Sequence, residues 1–242
     1  MSTIWPPRFG RRSPTSRNRR SAKQDNSLQT IALHIEMLDI GDAAQALAMR
    51  LIDEQERDRA AKFRFSQDAR RFVARRSRLR EILSAYSGDA PERLSFAQGP
   101  NGKPVLQRSA LHFSLSHSRG LMMLAIADVE VGCDIEWIDD DFEWQPLADR
   151  LFTSAERDML RRLDNTPARR AFFDCWSRKE AYVKAVGMGL SLPLDTFEVS
   201  VGREARLFPS NGWAIADASP NPRYSGAVVA NTPTLLLDFN PH

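Results

Sequence analysis

Between residues 111 and 137 three strand-like runs follow one another with only short links: LHFSLSHS (111–118), LMMLAIA (121–127) and VGCDIEW (131–137). Runs this close in the chain are expected to pair antiparallel, so the chain must build a sheet here. The middle run is apolar throughout, as suits a buried strand. The first alternates Leu111, Phe113 and Leu115 against His112, Ser114 and Ser116, which predicts a half-buried strand. The third is the unusual one. Side chains alternate along a strand, so Cys133, Ile135 and Trp137 share one face and Asp134 and Glu136 the other. Two carboxylates held side by side repel unless something positive lies between them. A hard divalent cation and bulk water both answer that need.

Around this sheet the chain alternates between helical and strand patterns. LQTIALHIEML (28–38) reads as a first strand. Residues 48–88 read as one helical stretch, with Phe63, Phe72, Leu79, Ile82 and Leu83 near helical spacing and Gly88 as its stop. GPNGKPVL (99–106) is a turn cluster. TSAERDMLRRL (153–163) opens as a helix with Thr153 or Ser154 as cap and Glu156 near the capping-box position. Residues 166–189 form a second helix, begun by Pro167 and ended by Gly187 and Gly189. LDTFEVSV, GWAIADA and GAVVANTPTLLLDF read as closing strands. No internal repeat of identical motifs is visible. The order implies an α+β fold of two halves, 28–127 and 128–242.

Charge separates the first residues from the rest. Residues 1–27 carry seven Arg or Lys and one Asp, and the whole chain nets +3. The remainder is therefore slightly acidic. Rich in Pro, Ser, Arg and Asn, residues 1–27 are expected to form a disordered basic tail. It lacks the apolar core of a secretory signal. No apolar run approaches the ~18 residues of a membrane span. The two cysteines, Cys133 and Cys175, lie far apart without a CxxC pattern, which fits a reducing cytoplasm rather than a disulfide framework.

In the second helix Phe172, Phe173, Trp176, Val183 and Val186 mark a buried stripe, and Glu180 falls on it. A carboxylate on an apolar face needs a partner. Lys184 is one, as an i,i+4 pair in the favoured orientation. A cation shared with Asp134 and Glu136 is the other.

VGCDIE (131–136), together with WSRKEAYVKAVGMGLSLPLDTFEV (176–199), resembles the 4′-phosphopantetheinyl transferases in their long, two-lobed class, which serves peptide and polyketide synthases. NGKP (101–104) and FSLSHS (113–118) appear in the matching order, and the resemblance spans about residues 52–199. It implies two similar α+β halves related by a pseudo-twofold, with the active site in the cleft between them. It implies that Asp134, Glu136 and Glu180 bind Mg²⁺ with the diphosphate of coenzyme A. Lys184 would contact the phosphate, with Lys179 as its motif neighbour. Ser116 and His117 would bind coenzyme A near its 3′-phosphate, and Lys103 would lie by adenine and ribose. Arg59, Lys62 and Arg71 would clamp the 3′-phosphate. Cys133 stands where Ile or Val is common. The partner implied is an apo acyl or peptidyl carrier protein, with the chain a monomer and neither nucleic acid nor membrane specifically bound.

The residue chemistry is compatible with these roles. Residues 53–80 hold ten Arg or Lys against five Asp or Glu, and Arg binds phosphate oxygens bidentately. The same helix could instead present a nucleic-acid patch, with Phe63, Phe65 and Phe72 as stacking platforms. A Mg²⁺ phosphohydrolase could use the same acids. His117 lies in phase with Leu111, Phe113 and Leu115, so a core position is an alternative for it. Asp139, Asp140, Asp141 and Glu143 are expected in a solvated loop. Phe142, Trp144, Leu147 and Leu151 are either carrier-facing or core. On the transferase reading Glu180 takes the proton of the carrier serine and Lys184 stabilises the phosphate charge.

Overall fold

A computed structural model of the chain describes residues 28–39, 41–99 and 101–239. The expected tail, 1–27, lies outside the described residues. Strand β1 (Gln29–Met37) is followed by α1 (Asp42–Leu51), α2 (Glu54–Ala61) and α3 (Ser66–Ser87). A hairpin of β2 (Phe96–Gln98) and β3 (Pro104–Leu106) leads to β4 (His112–Ser118), β5 (Leu121–Ala127) and β6 (Val131–Trp137). Then come α4 (Gln145–Leu151), α5 (Ser154–Arg161) and α6 (Asn165–Val186). The chain closes with β7 (Glu198–Val199), β8 (Leu207–Phe208), β9 (Ala214–Asp217), β10 (Tyr224–Ala230) and β11 (Leu235–Phe239).

The stretch expected as one helix is three. Asp53 caps α2 and forms a reciprocal capping box with Glu56, and Phe65 is extended before α3. The first break satisfies orphan amides of the α2 start, whereas α3 begins at Phe65 with no side-chain cap. The turn cluster at 99–106 contains β3, paired with β2.

One sheet has the order β11-β1-β5-β4 and a second the order β6-β10-β9. The antiparallel expectation holds for β4 with β5 but not for β6, which pairs with β10 in the second sheet. Nor is the chain divided cleanly at residue 128, because β11 crosses back to lie parallel to β1. Strand β5 is buried along its whole length because both of its faces are covered. Met122, Leu124 and Ile126 pack with Leu79, Ile82 and Leu83 of α3. Met123 and Ala125 pack with Val131, Cys133 and Ile135 of β6 and Val228 of β10. The two sheets thus face each other across a shared apolar core, with α3 outside the first. Helix α6 lies outside the second, where Ala181 and Ala185 meet Ala227 and Val229.

An internal repeat emerges that identical motifs hide. Helices α3 and α6 are both 22 residues long and both end in a left-handed glycine, Gly88 at φ 78° and Gly187 at φ 72°. Each is preceded by a short helix with a capping box, Asp53/Glu56 and Thr153/Glu156. Buried Glu56 pairs with Arg80 of α3 at 3.0 Å, and buried Glu156 with Lys179 of α6 at 2.9 Å. No helix among the described residues is long and apolar enough to cross a membrane.

Candidate active site

Strands β4 and β6 lie along the seam where the two sheets meet, and serine side chains join them. Ser114 Oγ accepts from Cys133 N at 3.0 Å, Ser116 Oγ donates to Asp134 at 2.8 Å and Ser118 Oγ donates to Glu136 at 3.1 Å. The face of β4 expected to be the wet one is therefore partly sealed, with Ser114 and Ser116 buried. His117 is exposed, so it is not a core histidine.

Helix α6 crosses β6 at Gly132. A Cβ there would stand 2.1 Å from the Ala181 carbonyl oxygen and 2.3 Å from Ala185 N. Gly132 shares its strand face with Asp134 and Glu136, and Glu180 and Lys184 are helix neighbours of the two alanines. The close crossing thus brings the acids of the strand to Glu180 and Lys184 of the helix.

Asp134 is the buried centre of this group. Its Oδ1 accepts from Lys184 Nζ at 2.6 Å and from Ser116 Oγ at 2.8 Å, while its Oδ2 is buried without a partner. Glu136 accepts from Ser118 and, at 3.3 Å, from Trp176 Nε1. Burial, and then the charge of Asp134, push its pKa up to about 7. The same two causes, in the same order, raise Glu180. The expected Glu180–Lys184 pair does not form, because Lys184 goes to Asp134. Burial opposes the charge of Lys184, but Asp134 first, with Cys133 and Glu180, together more than offset it, so its pKa lies above the ordinary lysine value. Among the described residues no three His, Cys, Asp or Glu side chains form a ready-made metal cluster.

A cationic end lies beyond Lys184. Arg75 of α3 is half-buried, and no acid pairs with it among the described residues. Burial, then Arg76 and Arg59, lower its pKa to about 10. Arg59 and Arg75 both lie over the Phe72 ring, at 5.4 and 5.5 Å. His117, crowded although solvent reaches it, is lowered to about 4 by desolvation and then by Arg75 and Lys184. Arg59 and Arg75, with no acid paired to either among the described residues, form a phosphate-seeking surface. Between the lobes a cleft of about 560 Å³ runs past Glu180 and Lys184, walled by Phe113, Leu115, Leu151, Trp176 and Val183.

Comparison with known proteins fits this geometry. Residues 42–128 match the family described as 4′-phosphopantetheinyl transferase, N-terminal, and residues 130–225 match the 4′-phosphopantetheinyl transferase superfamily. The chain is 33% identical over 184 residues to the 4′-phosphopantetheinyl transferase HetI of Nostoc sp., covering 73% of this chain and 77% of that one. It is 31% identical over 190 residues to the 4′-phosphopantetheinyl transferase psf-1 of Bacillus pumilus, covering 74% and 77%. The chain belongs to the 4′-phosphopantetheinyl transferase superfamily.

Within this transferase the expected site residues divide. Asp134, Glu136, Glu180, Lys184 and Ser116 are brought together at the crossing, with His117 and Arg59 on the cationic side. Three others are used elsewhere. Lys179 is fully buried, donating to the carbonyls of Leu194 and Phe197 at 2.7 and 2.8 Å and pairing with Glu156. Its helix neighbour Glu180 faces the cleft, and adjacent positions on a helix point about 100° apart. Arg71 is taken by Asp39, at 2.9 and 3.1 Å. Lys103 lines the cleft, but its Nζ is spent on the carbonyls of Val131 and Ala185 and on Glu130. Lys62 is exposed just past α2. The acids 139–141 and Glu143 lie in a loop where Asp139 pairs with Arg119, while Trp144 is core. Arg75 was missed. Its signal was Phe72, whose buried ring fixes which face of α3 turns inward.

Proposed function

We propose that the chain moves the 4′-phosphopantetheine arm of coenzyme A onto a serine hydroxyl of an apo acyl or peptidyl carrier protein. The other product is adenosine 3′,5′-bisphosphate. The observation that carries the site assignment is Asp134 Oδ2, a buried carboxylate oxygen with no partner, beside two acids whose pKa values are raised. Such a site favours a cation, and an all-oxygen donor set suits Mg²⁺. Asp134, Glu136 and Glu180 would hold it. Bound there, Mg²⁺ neutralises and orients the diphosphate.

The chain's own groups supply the rest. Glu180 accepts the proton of the serine hydroxyl. The serine oxygen bonds to the phosphorus that bears pantetheine, and the P–O bond to the adenosine bisphosphate breaks. Lys184 stabilises charge on the diphosphate. Arg75, Arg59 and His117 receive the 3′-phosphate, and the apolar walls of the cleft keep water from competing with the serine. A second groove of about 330 Å³ reaches Glu136 past Phe142, Leu147, Phe173 and Arg119. Its largely apolar lining suits the apolar face of a carrier helix, with Arg119 at its edge. Both cysteines are buried free thiols, which supports a reducing cytoplasm, and one chain supplies both walls of the cleft, which supports a monomer.

The test is intact mass of an apo carrier protein after incubation with the chain, coenzyme A and Mg²⁺. The carrier should gain one phosphopantetheine, and Asp134→Asn should cut the rate about 100-fold or more. Adenosine 3′,5′-bisphosphate released without modification of the carrier would favour a hydrolase instead.

A further inference from the structure

Lys184, Ser116 and Asp134 form a closed triangle. Lys184 Nζ lies 2.6 Å from Asp134 Oδ1 and 3.0 Å from Ser116 Oγ, and that hydroxyl donates to the same Oδ1 at 2.8 Å. The oxygen's acceptor capacity is filled by the chain's own donors. Glu180, one turn back on α6, is a nearer neighbour in sequence, yet Lys184 neutralises the buried acid instead. A divalent cation seeking Asp134 must compete with this ammonium.

We propose that Lys184 is a placeholder cation, held on Asp134 in the free protein and transferred to the diphosphate when Mg²⁺ and coenzyme A enter. The inference rests on the reading of Asp134 as a metal ligand. Lys184 has room to move, since it lines the cleft and its side chain is 31% exposed, whereas Asp134 is 3% exposed and fixed. Two consequences follow from linkage. The free chain binds the metal weakly, because the ammonium on Oδ1 already neutralises Asp134 and repels a cation at the open Oδ2. Coenzyme A tightens the metal, because its diphosphate gives the lysine another partner.

The test is titration of Mn²⁺ into the full chain without coenzyme A, read from the free-ion signal by electron paramagnetic resonance. Lys184→Met should bind Mn²⁺ about tenfold more tightly than the native chain, since a charge-assisted hydrogen bond no longer competes. Added coenzyme A should tighten Mn²⁺ less in the variant than in the native chain. Equal or weaker Mn²⁺ binding by folded Lys184→Met overturns the proposal. Should that variant not fold, lysine side-chain NMR of the native chain decides, with the Lys184 signal assigned by its loss in Lys184→Arg. The signal should shift when Mg²⁺ and coenzyme A are added, and a fixed signal overturns the proposal. Asp134→Asn separates the two layers. Mn²⁺ binding lost in Asp134→Asn but unchanged in Lys184→Met rejects the placeholder alone. Mn²⁺ binding kept in Asp134→Asn rejects the metal-ligand reading, and the placeholder with it.

Discussion

Arg80 and Lys179 hold matching places in the two lobes. Each is the fifteenth residue of its 22-residue helix, each is buried to within 1%, and each pairs with the capping-box glutamate of the short helix before it. Lys179 therefore does for α5 and α6 what Arg80 does for α2 and α3. Lys179→Met strands Glu156 as an uncompensated buried charge, which should cost roughly 3–5 kcal/mol. Urea unfolding measures that loss, and calorimetry on the folded protein should find coenzyme A affinity nearly unchanged. Weakened coenzyme A binding at native stability would instead put Lys179 at the phosphates.

Gly132 is the hinge between fold and chemistry, because α6 reaches the acids only where the strand has no side chain. Gly132→Ala places a methyl carbon against helix backbone, and backbone cannot yield as a side-chain tip does. We expect a loss of about 3 kcal/mol or more and, in whatever remains folded, a large fall in transfer rate as Glu180 and Lys184 move from Asp134. Thermal melts and carrier modification report the two effects. A variant with native melting temperature and rate would show that the helix does not lie so close.

What the sequence revealed follows from where the deciding physics lies. Helix α6 was legible because its ends carry local signals, Pro167 and Gly187, and β4 to β6 because short apolar runs with short links leave few choices. The breaks around α2 were hidden because its residues, EQERDRAA, are nearly all polar and show no periodicity, so only the cap at Asp53 marked a start. The partner of β6 was hidden because strand pairing is long-range, and β10 lies some 90 residues further along the chain. The lobe repeat survives in letters as short matches, among them Glu-Arg-Asp at 56–58 and 156–158 and Ala-Arg-Arg at 69–71 and 168–170, too short to notice before the matching ion pairs are seen. Among the site residues, acids spaced on one strand face were readable from pleat geometry. The choice among the arginines of α3 was not, since Asp39, which occupies Arg71, comes from another element.

Arg75 and Arg71 therefore make a paired test of the phosphate end. Arg75→Ala removes a half-buried cation with which no acid pairs among the described residues, so it should raise the KM for coenzyme A about tenfold or more. It should leave the KM for dephospho-coenzyme A nearly unchanged, because that substrate lacks the 3′-phosphate. Arg71→Ala breaks only the contact with Asp39 and should stay within about threefold of native on both substrates. Steady-state kinetics with the two substrates decides, and equal losses on both for Arg75→Ala would remove it from the 3′-phosphate site.

The acids also fix how stability depends on pH. Burial, and then Asp134, raise Glu136 from an ordinary 4.5 to about 7, so between those values the folded chain holds a proton that the unfolded chain releases. Stability contributed by this group is full below about 4.5, falls as pH rises, and is gone above about 7; Glu180, also raised, acts in the same direction. For Glu136 the loss should amount to roughly 3 kcal/mol across that window. Glu136→Gln cannot ionise, so melting temperatures of the metal-free variant should slope less steeply over the same range. Mg²⁺ should reverse the trend, since it binds the ionised acids. Its added stabilisation should be small at pH 5 and large at pH 8. Parallel pH profiles for native and Glu136→Gln protein, with Mg²⁺ giving the same increment at both pH values, would mean that Glu136 neither sits in a raised state nor meets the cation.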